Sequence, residues 1–247
     1  MPNIQVQFLG SGDAFGSGGR LQTCIYVQAG STKILFDLGS SGLISLRRWG
    51  VSAEEIETIL ITHLHADHFG GIPIFLIEAH HISKREKPLT IAAPPTFEHR
   101  IQQAQEVMYP GASEERYRFP LKFIEHADGR PTQIGALSVT PFTVIHASGA
   151  PAYALRVEIL GKTITYSGDT GWTDRLIEAA EGADLFICES NSFQRRRKYH
   201  LDYQTLISHR AEINCKRMIL THMGQDMLEK ADGSEIEVAE DGKLVQI

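Results

Sequence analysis

Thr62-His63-Leu64-His65-Ala66-Asp67-His68-Phe69-Gly70-Gly71 sets four residues of metal-ligand type, His63, His65, Asp67 and His68, within six positions. The run follows Thr58-Ile59-Leu60-Ile61, which reads as a buried strand. On an extended backbone side chains alternate with period two, so His63 and His65 project to one side and can converge on one ion. A turn at Asp67-His68 aims the next two ligands at a second position, and Gly70 and Gly71 let the backbone pass close by. Imidazole suits zinc and related transition metals, and a carboxylate adds compensating charge.

Four ligands cannot complete two metal shells. Three later positions meet the demand: His146 ends Thr143-Val144-Ile145, Asp169 sits in Tyr166-Ser167-Gly168-Asp169-Thr170, and His222 follows Met218-Ile219-Leu220-Thr221. Each is a ligand-type residue directly after an apolar strand, where loops at a sheet edge build sites.

The surrounding pattern is mixed α/β. Ile4, Val6 and Phe8 alternate, strands follow at Cys24–Val27 and Ile34–Phe36, and Ser41–Trp49 and Gly71–His81 read as helices. A strand at Leu89–Ala92, a helix near Pro95–Met108 and a mobile loop at Tyr109–Arg118 come next. Strands return at Lys122–Glu125, Leu137–Ile145, Ala152–Ile159 and Thr163–Tyr166. Helices at Thr173–Glu181 and Asp202–Ile213 then alternate with strands at Asp184–Cys188 and Arg217–Thr221. The pattern alone establishes the α/β class; by analogy, two similar sheet-plus-helix halves would form a four-layer αββα sandwich.

No low-complexity linker divides the 247 residues, so positions 1–247 are expected to form one domain. The formal net charge of −6 argues against nonspecific coating of nucleic acid. No apolar run approaches the roughly 20 residues that span a bilayer, and MPNIQVQFLG lacks the character of a signal segment. Cys24, Cys188 and Cys215 form no close pair, which disfavours a disulfide framework. A cytoplasmic location is the resulting expectation.

The cluster HLHADH, with the later His, the SGD and the LTH, resembles the metallo-β-lactamase fold superfamily. FLGSGDAFGSGGR near the N-terminus is similar to its ribonuclease Z and small phosphodiesterase branch. The likeness covers nearly the whole chain and is far more specific for fold than for substrate. It implies the αββα sandwich, one metal on His63, His65 and His146, a second on Asp67, His68 and His222, and Asp169 bridging both. The cofactors implied are two divalent metal ions, zinc first, with manganese or iron as alternatives.

Two such ions roughly 3.5–4 Å apart activate a water and stabilise charge on oxygen, so hydrolysis by direct water attack is expected. Asp67 would orient the water or take its proton. No GxSxG motif supplies a serine nucleophile. His200, before the Asp202–Ile213 helix, is the candidate general acid, alternatively a surface residue flanking a helix, and Glu189 could orient it. The basic run Arg195-Arg196-Arg197-Lys198 would attract an anionic substrate, or is a solvated loop. The loop Asp13-Ala14-Phe15-Gly16 either walls the pocket or is a plain tight turn. His80, His81, His99, His126 and His209 read as structural or exposed.

The leading expectation is therefore a phosphodiesterase acting on a nucleotide, a cyclic phosphate or an RNA end. The resembled ribonuclease Z enzymes of the common bacterial type carry a long tRNA-gripping arm between the ligands matched by His146 and Asp169. Here these residues are 23 positions apart (169 − 146), which disfavours tRNA and favours a small substrate. Alternatives are an ester, lactone or thioester hydrolase using the same site, and a non-hydrolytic di-iron redox protein or metal-dependent scaffold. Ile72–Ile77 could form a homodimer face or a buried core helix.

Overall fold

The computed structural model describes residues 4–247. Its strands follow the apolar runs closely. The first half contains β1 (Ile4–Gly10), β2 (Cys24–Ala29), β3 (Thr32–Phe36), α1 (Gly42–Arg48), β4 (Thr58–Leu60), α2 (Ala66–Phe69), α3 (Ile72–His81), β5 (Leu89–Ala93), α4 (Phe97–Met108) and β6 (Leu121–Glu125). The second contains β7 (Thr132–Ile134), β8 (Leu137–Val144), β9 (Ala152–Ile159), β10 (Lys162–Tyr166), α5 (Arg175–Ala180), β11 (Leu185–Glu189), α6 (Tyr203–Ser208), β12 (Met218–Thr221), α7 (Gln225–Leu228) and β13 (Glu237–Val238); β14 (Leu244–Gln246) closes the chain.

Two seven-stranded sheets result, ordered β14-β1-β2-β3-β4-β5-β6 and β13-β12-β11-β10-β9-β8-β7. Each begins as an antiparallel meander and continues as parallel strands, β3 to β6 in one and β10 to β13 in the other. The strand β14 returns to pair antiparallel with β1, so the end of the chain seals the first sheet.

Period-two alternation distributes side chains to the layers. In β2, Ile25 and Val27 face the core between the sheets, while Cys24 and Tyr26 join the helix-side core with Leu46 and Phe75. In β11, Leu185 and Ile187 face the other sheet, while Phe186 and Cys188 pack with Leu176 and Leu206 on the outer helices. These strands read as unbroken apolar runs because both faces are buried. The order of layers is helix, sheet, sheet, helix.

Several boundaries differ from expectation. The expected helix at Asp202–Ile213 stops at Ser208, and Arg210–Glu212 forms a separate 3₁₀ turn. At the break His209 stacks on Trp172, with ring centroids 3.9 Å apart, and its Nδ1 pairs with Glu212 at 2.7 Å. The Tyr109–Arg118 segment contains a 3₁₀ turn at Ala112–Glu114 and is tied to α3 by His81 Nε2 and Glu115 at 2.9 Å. Among the described residues no helix is long and apolar enough to cross a membrane.

Buried polar side chains brace the first sheet. Arg85 is fully buried and donates to the carbonyls of Ala53, Glu54, Ile56, Lys87 and Pro88 at 2.7–3.0 Å, so its charge is spread over five acceptors. His126 Nε2–H donates to Ile61 O at 3.2 Å, on the segment that leads to the histidine cluster. Burial pushes the His126 imidazole down to about 4, and that hydrogen bond offsets only part of the effect.

An acid-sensitivity prediction follows from His126. Its folded pKa lies below the ordinary value near 6.5, so the unfolded chain binds the extra proton first. The stability contributed is present above about pH 6.5 and is lost as pH falls toward 4, amounting to about 3 kcal/mol. Urea midpoints across that range should fall less steeply for His126→Gln than for the wild type. Equal slopes would refute the assignment.

Candidate metal centre and cavity

The site is built where strands end. Apolar β4 delivers Ile61, Thr62 and His63, and the chain then enters α2, with His65 extended at its N-cap and Asp67 and His68 in its single turn. Gly70 and Gly71 are needed for approach: an added Cβ would lie 2.4 Å from Ala66 O at Gly70 and 2.3 Å from Gly39 O at Gly71. His146 follows β8, Asp169 follows β10, Glu189 ends β11 and His222 follows β12. Since β10, β11 and β12 are parallel, their carboxyl ends meet at one edge, the usual ligand-binding edge of such sheets.

Two donor groups hold the expected ligands, and Asp169 and His222 also lie with Glu189 and His200 in a third. His63, His65 and His146 make one; Asp67, His68, Asp169 and His222 make the other, each with its donor atoms within 4.8 Å of one another. His65 Nδ1 and His146 Nε2 are 3.0 Å apart. In the second group, Asp67 Oδ2 lies 3.1 Å from His222 Nε2 and 3.2 Å from His68 Nε2. Donors bonded at about 2.0–2.1 Å to one tetrahedral ion stand about 3.3 Å apart, so these spacings fit a metal rather than a self-satisfied hydrogen-bond network. Asp169 faces both groups: its carboxylate is 3.3 Å from His68 Nε2, 3.4 Å from His222 Nε2, 3.8 Å from His63 Nε2 and 4.0 Å from His146 Nε2.

Ring orientation supports the same reading. His146 Nδ1–H donates to Tyr199 O at 2.8 Å and His68 Nδ1–H donates to Asp37 Oδ2 at 2.7 Å. A carbonyl and a carboxylate can only accept, so each ring keeps its Nε2 lone pair for a metal. His63 Nε2 is buried with no hydrogen-bond partner among the described residues. Among these donors an orphaned ring nitrogen fits a metal ligand.

The electrostatics agree. Burial disfavours charge on His222, yet Asp169 and the Asp67 hydrogen bond outweigh it and lift the imidazole to about 9. His68 is lifted well above its ordinary range by Asp169, Asp67 and Asp37 against the same burial cost. Burial would raise Asp67, but His68 and the hydrogen bonds from His222 and His68 hold it well below the usual carboxylate range. The carboxylates thus stabilise positive charge at the centre.

Asp37 was not singled out from sequence, although it follows strand β3 just as Asp169 follows β10. Fully buried, with φ +56°, it accepts from Thr62 N and Thr62 Oγ1, each at 2.8 Å, as well as from His68. One side chain therefore fixes the backbone before the cluster and the ring of a donor within it.

His200 lies beside the second group. Its Nδ1–H donates to Glu189 Oε2 at 3.1 Å and stands 3.8 Å from Asp169 Oδ2. Burial opposes its charge, but Glu189 and Asp169 outweigh burial and raise its pKa. Glu189 is itself held by the Thr170 backbone N–H.

A cavity of about 690 Å³ opens over the centre, lined by His65, Asp67, Asp169, His200 and His222 together with Phe15, Asn191, Arg195 and Arg197. Arg196 and Lys198 line a neighbouring hollow with Trp172, which Arg197 and His200 also border. His99 is exposed, His126 is structural, and His80 and His81 pair with Glu115 away from the cavity. His80 Nδ1 accepts from Arg118 N, which puts the ring proton of the neutral imidazole on Nε2, the nitrogen that faces Glu115.

The comparisons agree with this architecture. The metallo-β-lactamase fold protein YhfI from Bacillus subtilis superposes with a TM-score of 0.80 at 22% identity, covering 100% of both chains. A ribonuclease Z from Agathobacter rectalis is 22% identical over 281 residues, 93% of this chain and 90% of that one. An uncharacterized protein from Mycobacterium leprae is 31% identical over 171 residues, 67% of this chain; the match spans only 58% of that relative's length. The layers are those of the metallo-β-lactamase fold. The model of the family described as Anti-Pycsar protein Apyc1 matches residues 4–245, and the chain belongs to that family.

Proposed function

We propose that this protein is a dinuclear metal-dependent phosphodiesterase acting on a small nucleotide-type substrate. The observation that carries the reading is one cavity lined by members of both donor groups (His65 of one; Asp67, Asp169 and His222 of the other), a histidine backed by a buried carboxylate, and two arginines. Its volume is within the ~300–1,000 Å³ of small-molecule sites.

His63, His65 and His146, and Asp67, His68 and His222, together with Asp169, would hold two divalent ions, which would supply an activated water and charge neutralisation on phosphoryl oxygens. The remaining roles belong to the chain. Arg195 and Arg197 draw in the phosphate and offer planar, paired N–H donors. Asp67, on the cavity wall, accepts the proton of the attacking water. As the water oxygen bonds to phosphorus, the bond to the ester oxygen breaks and that oxygen takes the Nε2 proton of His200. Glu189 holds the His200 ring in place and stabilises its charged form before transfer.

The test is a substrate panel run with metal analysis: bis-p-nitrophenyl phosphate, 2′,3′-cyclic nucleotides, a lactone and a glutathione thioester. Lactone or thioester turnover far above any phosphodiester turnover would overturn the reading. Within it, His200→Ala should keep both metals and slow esters with poor leaving groups by about 10²–10⁴-fold. p-Nitrophenyl esters, which leave without a proton, should slow much less. Equal slowing of both would remove His200 from the acid role.

A further inference from the structure

Phe15 is 90% exposed, yet it sits on a rigid support at the mouth of the metal cavity. The buried Asp13 carboxylate accepts from Phe15 N at 3.2 Å, Ser17 N at 2.9 Å and Ser17 Oγ at 2.7 Å. Gln22 Nε2 donates to Ala14 O at 3.0 Å, and Gly16 turns the chain at φ +70°. Single exposed apolar side chains are ordinary. This one differs because its backbone is held on both sides and its ring borders a reactive centre.

The rest of the cavity suits a planar, polar-edged ligand. Arg195 and Arg197 supply positive charge for a phosphate, while Asp226, Gln225 and Glu229 line another part of the wall. Carboxylate and amide oxygens accept from the N–H edges of a base or from hydroxyls. Asn191, more than nine-tenths buried, lines the same cavity with an Oδ1 that has no partner among the described residues. An apolar protein surface docked on Phe15 would cover those acceptors without pairing them.

The geometry points to Phe15 as the stacking platform for the nucleobase of the substrate, a specificity-determining contact separate from the metals that handle the phosphate. The inference rests on the phosphodiesterase reading for its ligand class and deepens it by assigning the base a place. Base–aromatic stacking tolerates any base, because each has a π-face, so the platform selects for a base over none rather than for one base over another. Holding the backbone of the turn in advance lowers the ordering cost of binding.

The experiment compares adenosine 5′-monophosphate with ribose 5-phosphate by calorimetry on the metal-loaded protein. The wild type should bind the base-bearing ligand at least about tenfold more tightly. In Phe15→Ala that ratio should collapse toward one. Phe15→Trp should restore it, and the nucleotide, but not ribose 5-phosphate, should quench the new indole's fluorescence. An unchanged ratio in Phe15→Ala, or no base preference in the wild type, overturns the proposal. Loss of self-association in Phe15→Ala with the ratio unchanged would make the ring a contact between copies and equally overturn it. Binding is read without turnover, so a protein that stacks nucleotides but hydrolyses no phosphodiester defeats the proposed function and leaves the platform standing.

Discussion

Asp169→Ala should lose at least one of two bound metals and at least about 10³-fold in turnover while keeping its fold. The reason lies in its position: among the described residues no other carboxylate lies within 4 Å of imidazole nitrogens in both donor groups. Its oxygens stand 3.3–4.0 Å from four imidazole nitrogens, two in each group. Without it, Asp67 is the sole carboxylate among the remaining donors. Two divalent cations would then face one another with a single negative charge between them. Asp169→Asn retains an oxygen donor but loses the charge, and should fall between the wild type and the alanine variant in metal content. Elemental analysis after gel filtration, with circular dichroism as the check on fold, reads the outcome. Full occupancy of both sites in Asp169→Ala would sink the bridging role.

A second large effect is expected at Asp37, which touches no substrate. Asp37→Asn keeps a residue type that tolerates its φ of +56°, but its amide nitrogen cannot accept from the His68 ring or from Thr62. Metal affinity should fall by about 10–100-fold, the usual consequence of removing a carboxylate that orients a ligating histidine. Asp37→Ala adds backbone strain and leaves the Thr62 N–H and hydroxyl buried without their acceptor. Its destabilisation should reach about 3 kcal/mol or more. Competition against a fluorescent zinc chelator measures the first effect and urea unfolding the second. Wild-type affinity in Asp37→Asn would show that His68 is oriented by packing alone.

The contrast between these residues shows which kinds of information sequence carries. Asp169 and His222 were legible because each follows an apolar run at a strand end, a local signal that needs no knowledge of the fold. Asp37 carries a related signal, but its task depends on β3 lying beside β4. Only that pairing, with Phe36 opposite Leu60, brings its carboxylate to Thr62 and His68. Position 85 is similar: an arginine between Lys84 and Glu86 carries no local sign of burial, and its five carbonyl partners come from two separate segments. The short strands β7, β13 and β14 also escape the pattern, since two or three residues are too few to show a period.

The basic run shows the remaining limit. Four consecutive cations indicate positive charge near His200, but an exposed loop has no period to assign side chains to faces. In the folded loop Arg195 lines the metal cavity, Arg196 the hollow beside Trp172, and Arg197 both. Phe15 likewise became informative only once the Asp13 turn was seen to hold it at the cavity mouth.

By itself the sequence determined the α/β class, the ligand residue types and their strand-end positions, because alternation and burial act over a few neighbouring residues. Tertiary structure alone decided which nitrogen of His68 and His146 is left free for a metal, which arginines line the cavity, and that Asp37 and Phe15 lie beside it. Those facts depend on strand register and loop packing between residues far apart in the chain, where no local period operates.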